Sequence, residues 1–92
     1  MLSIDIPSGG RSGLTFALLE EYNIPTPPNG FNSEINGNVI IQFDDEQQAI
    51  DYSHDLDIYA DSIDSSTMEY FIITDIIKSI SDDEFVQTYI GG

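Results

Sequence analysis

The stretch from Asp44 to Asp64 constrains this chain most. At about 100° per residue, Ala49, Tyr52, Leu56, Tyr59, Ala60 and Ile63 fall within an arc of roughly 100°. Asp51, Asp55, Asp57, Asp61 and Asp64 fall on the opposite arc. An apolar stripe of that width needs a core to cover it, so the spacing predicts a helix over 45–63 with one face inward. Its start is also marked. Asp44-Asp45-Glu46-Gln47 offers an N-cap carboxylate with a glutamine at N3. Acids in a first turn suit the positive end of the helix dipole.

The other elements arrange themselves around that helix. Leu2, Ile4 and Ile6 alternate with Ser3 and Asp5, the period of a half-buried strand, which Pro7 stops. After the turn-rich run 7–13, Ser12 is placed to cap a helix carrying Leu14, Phe16, Ala17, Leu18 and Leu19 and ending near Tyr22-Asn23. Pro25, Pro27, Pro28 and Asn29-Gly30 then break regular structure. Asn36-Gly37 between the extended runs 31–35 and 38–43 is a hairpin signal, because both turn positions favour φ > 0. A two-residue loop would group Ile35 and Ile40 apart from Val39 and Ile41. The sheet is then covered on both sides, or the loop is longer than two.

Two later segments, Ser66-Thr67-Met68-Glu69 and Ser81-Asp82-Asp83-Glu84, have the S-x-x-E form of a capping box and predict helices over 67–80 and 82–90. Within the first, Tyr70 to Thr74 would also suit a buried strand. The expected fold is a single α+β domain over 1–92. A small antiparallel sheet, one strand plus an Asn-Gly hairpin, is packed by three to four helices in the order β-α-β-β-α-α-α.

Charge narrows the function. The chain has 17 acids against two basic side chains, for a formal net charge of −15. The acids are concentrated: 13 lie between Asp44 and Glu84, against Lys78 alone. Such a chain is repelled by nucleic acid and by anionic lipid, and its natural partners are basic surfaces. The carboxylates at 57, 61 and 64, and at 51 and 55, recur at helical i+3 and i+4 spacing, with Cβ atoms about 5–6 Å apart. Like charges so placed destabilise a helix by roughly 0.2–0.5 kcal/mol a pair. A face kept only for solubility would mix in lysine. A row of carboxylates can present charge to Lys and Arg much as a nucleic-acid strand does, where phosphates recur about every 3.4 Å of rise. Ile50 and Ile58 border this face, as interface contacts or as ordinary exposed residues.

Enzymatic chemistry finds little to stand on. Cysteine is absent, which removes thiolate zinc sites and thiol nucleophiles. Gly9-Gly10-Arg11-Ser12-Gly13 lies where a phosphate loop would, but lacks the lysine of a Walker loop, and Ser8 stands where the dinucleotide fingerprint needs glycine. His54, the one histidine, reads as a surface residue in an acidic field. Asp55, Asp57, Asp61 and Asp64 depart from a calcium-binding loop, because Tyr59 and Ala60 occupy its third-ligand and glycine positions. Tyr52, Tyr59, Tyr70, Phe71 and Phe85 are expected in the core rather than in a base-stacking platform. No catalytic residue, cofactor or metal is therefore expected. The start, MLSIDIPSGGRSG, has no basic region followed by a long apolar run, and no stretch approaches the ~18 apolar residues of a membrane span, so a cytoplasmic protein without membrane contact is expected.

The tail Tyr89-Ile90-Gly91-Gly92 resembles two unrelated families. Ubiquitin-like modifiers and sulfur-carrier proteins end in Gly-Gly, which their enzymes activate at the carboxylate. Double-glycine peptide leaders have an acidic helix before Gly-Gly, and Ser81-Asp82-Asp83-Glu84 is similar to it. The β-α-β-β order departs from the ubiquitin start, and a leader would need a peptide after Gly92. The plain alternative is a helix end with glycine at C′.

The sequence therefore favours a non-enzymatic acidic protein that mimics nucleic acid and blocks a basic nucleic-acid-binding partner, without itself binding nucleic acid. Small phage proteins that inhibit restriction or CRISPR systems resemble it in charge and size. The expected contact residues are Asp44, Asp45, Asp51, Asp55, Asp57, Asp61, Asp64, Asp82, Asp83 and Glu84. A nuclease-toxin immunity protein is physically almost the same expectation; a small carrier acting through Gly91-Gly92 is a different one. The oligomeric state stays open.

Overall fold

The computed structural model describes residues 1–6, 14–33 and 38–91. Their order is β1 (Leu2–Ile6), α1 (Phe16–Glu21), β2 (Phe31–Ser33), β3 (Val39–Phe43), α2 (Glu46–Ala60), α3 (Met68–Asp82) and α4 (Glu84–Gly91). The class is α+β, with the element order that the sequence pattern predicts. The strand alternative for Tyr70 to Thr74 gives way to helix.

The three strands form one antiparallel sheet in the order β1-β3-β2. Leu2, Ile4 and Ile6 of β1 and Val39, Ile41 and Phe43 of β3 are buried. Ser3 and Asp5 are exposed, and Ile40 and Gln42 are half-buried. The sheet thus has one inner face, the period-2 logic of an antiparallel sheet. The β2–β3 register decides the hairpin question. Phe31 pairs with Ile41 and Ser33 with Val39. A two-residue loop at Asn36-Gly37 would set Ser33 opposite Ile40, so the register is one residue away from that loop. The one-residue difference puts position 31 on the inner side with Val39 and Ile41, and Phe31 packs against the core. The Asn36-Gly37 turn itself lies outside the described residues.

The helices close the core. Ala49, Tyr52, Leu56 and Ala60 of α2 are buried, with Tyr59 and Ile63 half-buried beside them, so the apolar stripe faces inward. From α3, Ile72, Ile73, Ile76 and Ile80 join them at helical spacing, and α4 adds Val86. Burying each Leu, Ile or Val of this set contributes about 1.5–3 kcal/mol relative to leaving it in water. No group in this cluster needs a charge partner, and among the described residues no buried side-chain nitrogen or oxygen lacks a hydrogen bond.

Helix caps explain the element ends, and all four N-caps differ from expectation. Asp45 caps α2 by accepting from the Gln48 amide at 2.9 Å, while the Gln48 side chain returns to accept from the Asp44 amide at 2.8 Å. This is a capping-box-like arrangement one residue later than expected, with the return bond going to the residue before the cap. Thr67, not Ser66, caps α3, accepting from the Tyr70 amide at 3.2 Å. Ser66 instead donates from its amide and its hydroxyl to Asp64. Asp83, not Ser81, caps α4, accepting from the amides of Phe85 at 2.9 Å and Val86 at 3.1 Å. Ser81 and Asp82 belong to the last turn of α3. Asp83 also ends α3, its amide donating to the Ile80 carbonyl. One residue therefore makes the corner between two helices. For α1 the cap is Thr15, and Ser12 lies outside the described residues.

The proline-rich segment is tied to the rest by hydrogen bonds. Its turn ends at Gly30, whose amide donates to the Pro27 carbonyl and whose φ of 75° is in the region that favours glycine. The Asn29 side chain donates to the Gln42 carbonyl at 3.0 Å and to Asp44 at 3.2 Å, holding the turn beside the end of β3.

Candidate partner-binding surface

The outer face of α2 carries Asp51, Asp55, Asp57 and Asp61, all exposed, with His54 and Ile58 between them. Ile50 instead packs against the core, whereas Ile58 is 58% exposed. The helix spans about 22 Å at 1.5 Å per residue. It ends at Ala60, with Asp61 as its C-cap. Asp64 therefore does not continue the row of Asp57 and Asp61. The helix stops because the chain turns through Ser62 and Ile63, whose amides donate to the carbonyls of Tyr59 and Ala60. Asp64 lies in the connection to α3.

Hydrogen bonds sort the ten expected contact residues. Asp45 and Asp83 are caps, and Asp64 holds Ser66. Asp44 accepts from Asn29, and Asp51 accepts from Gln47 at 2.9 Å. Asp82 receives the Lys78 ammonium at 3.1 Å in an exposed i,i+4 pair. The carboxylates of Asp55, Asp57, Asp61 and Glu84 accept no such bond among the described residues. The bonds from Ser66 hold the Asp64 carboxyl below the ordinary carboxylate range. The acidity of this chain thus divides into carboxylates that build the fold and carboxylates that only face water.

The acids also fall in two places. Asp44, Asp45 and Glu46 line a recess of about 420 Å³ with Met1, Leu2, Ser3 and Phe85. Asp82 and Asp83 line a shallower one with Ser3, Ile4, Asp5 and Ser79. Both border β1, an outer strand of the sheet, and Ser3 is common to them. The long α2 row is separate in sequence and runs along the helix.

Several surface residues escape the sequence pattern. Phe85, expected in the core, is 58% exposed, and Tyr89 and Ile90 are exposed on the same helix. Two turns of helix can bury one stripe, and here Val86 supplies it. The four apolar residues of so short a helix were the available signal. Tyr89 donates from its hydroxyl to the Gln47 side chain at 2.9 Å, fastening α4 to the start of α2.

Other chemistry gains no support from the geometry. Among the described residues no three histidines or carboxylates converge to hold a metal ion. His54 is exposed on α2. The loop Gly9–Gly13, with Arg11, lies outside the described residues, as does Gly92. The chain is helical through Gly91. No described helix is long and apolar enough to cross a membrane. Comparison of the chain with protein-family models, curated proteins and solved structures finds no match.

Proposed function

We propose that this chain is a non-enzymatic cytoplasmic binding protein that occupies the nucleic-acid-binding surface of a basic partner protein. The outer face of α2 carries this reading. Asp55, Asp57 and Asp61 stand exposed with no side-chain bond among the described residues, and Lys78, the one lysine, is engaged by Asp82. Carboxylates left in this state stabilise nothing in the fold and repel one another. Counter-charges from a partner's Lys and Arg would relieve that repulsion, as they do when they neutralise phosphates. An inhibitor of a defence nuclease and an immunity protein against a nuclease toxin use this mechanism alike.

Lysate retention on the immobilised protein at low salt tests it. The expected result is retention of a nucleic-acid-binding protein that a salt gradient elutes and that added DNA or RNA displaces. Retention unaffected by nucleic acid would overturn the proposal.

A further inference from the structure

The recess at the start of α2 differs in kind from the acid row on the same helix, because half of its wall is apolar. Met1, Leu2 and Phe85 line it together with Ser3, Asp44, Asp45 and Glu46. Phe85 is 58% exposed and Met1 85% exposed, with Tyr89 one turn further along α4. Water against that much apolar surface is unfavourable, by roughly 25 cal/mol per Å².

We infer that this recess docks a cationic amphipathic segment of a partner protein, with an apolar side chain against Phe85 and its Lys or Arg on Asp44, Asp45 and Glu46. The inference rests on the proposed reading of a basic partner and adds where that partner anchors. Charge complementarity selects the occupant. A second copy of this chain would bring another −15 to an acidic rim, which opposes self-association through the same face. A purely phosphate-binding surface would find charge here but nothing for Phe85. The wall is already in place: the Tyr89–Gln47 bond holds α4 against α2, and the Asp45 cap fixes the first turn. A preformed recess needs little ordering on binding. Capping leaves Asp45 with lone pairs for a second donor, because a carboxylate accepts at several sites.

Two peptide probes test it: a helical peptide of lysine and leucine, and its counterpart with serine in place of leucine, at equal charge. The protein is followed by amide chemical shifts and by affinity at moderate salt. The expected result is shifts at Leu2, Ser3, Asp45 and Phe85 with the leucine peptide, and an affinity about tenfold above the serine peptide. Phe85→Ser, at an exposed position, should remove that difference while leaving the circular dichroism spectrum unchanged. Equal binding of both peptides along the outer face of α2, unaffected by Phe85→Ser, would overturn the docking site and leave the charge reading standing. Failure of both peptides to bind even at low salt would overturn the docking site and the charge reading together. A dimer in sedimentation that Phe85→Ser dissociates would assign the recess to a second copy and overturn the inference.

Discussion

The hydroxyl of Tyr52 donates to the Pro25 carbonyl at 2.6 Å, joining the buried face of α2 to the proline-rich segment twenty-seven residues earlier. The Tyr52 ring also tilts against Phe43, with centroids 5.8 Å apart. One side chain therefore couples the central strand, the most acidic helix and a segment without regular structure. Tyr52→Phe keeps the ring and removes the bond. Chemical denaturation should show a loss of about 1 kcal/mol. Tyr52→Ala should cost about 3–5 kcal/mol, as for other large buried aromatics.

The pH dependence of stability follows from three groups. Burial pushes the Tyr52 phenol well above its ordinary value. The hydrogen bond to Glu69, at 2.9 Å, raises that of Tyr59. For both, the folded state favours the protonated phenol. Their contribution is complete below about pH 10 and falls as the pH rises beyond it. Asp64 has the opposite sign. Its lowered value means that its contribution is complete above about pH 4 and is lost as the pH falls further. An absorbance titration of the tyrosines should show Tyr59 moving back toward ordinary phenol behaviour in Glu69→Gln, with Tyr59→Phe identifying its signal.

Capping acids should respond differently from free ones. Asp45→Ala and Asp83→Ala each remove a bonded N-cap and should cost about 0.5–2 kcal/mol in urea unfolding. Asparagine at either position keeps an acceptor oxygen and should cost much less. The corresponding Asp→Asn changes at Asp55, Asp57 and Asp61 remove repulsion without removing a bond, so thermal stability should hold or rise.

Added salt should raise the melting temperature at neutral pH. The net charge is −15, and the Lys78–Asp82 ion pair is exposed, of a type worth about 0.3–0.5 kcal/mol. Screening therefore weakens far more repulsion than attraction. A melting temperature independent of salt, followed by circular dichroism, would show that the acid rows do not strain the fold.

Much of the fold was legible because periodicity is strong where burial is one-sided. The stripe Ala49, Tyr52, Leu56 and Ala60 and the alternation Leu2, Ile4 and Ile6 each admit one phase against a core. Caps were less legible because candidates sit side by side. Ser66 and Thr67, or Ser81 and Asp83, satisfy the same rule, and the phase of Ile72, Ile76, Ile80 and Val86 against the core selects between them. The Asn36-Gly37 pattern announced a hairpin but not its register, which the pairing of β2 with β3 sets. Within the candidate surface, exposure of the acids was readable and their occupation was not. That Asp64 serves Ser66, that Asp83 serves two helices at once, and that Phe85 faces outward all depend on where helices stop, by a residue or two.

The most direct test compares the wild type with Asp55→Asn/Asp57→Asn/Asp61→Asn for affinity toward the captured nucleic-acid-binding protein across a salt series. These three acids contribute no side-chain bond to the described structure, so folding should be unchanged by circular dichroism. The expected result is weaker binding at low salt, a shallower dependence on salt, and easier displacement by DNA or RNA. Unchanged affinity with an unchanged salt dependence would contradict the proposal, and would leave the outer face of α2 a solvated surface.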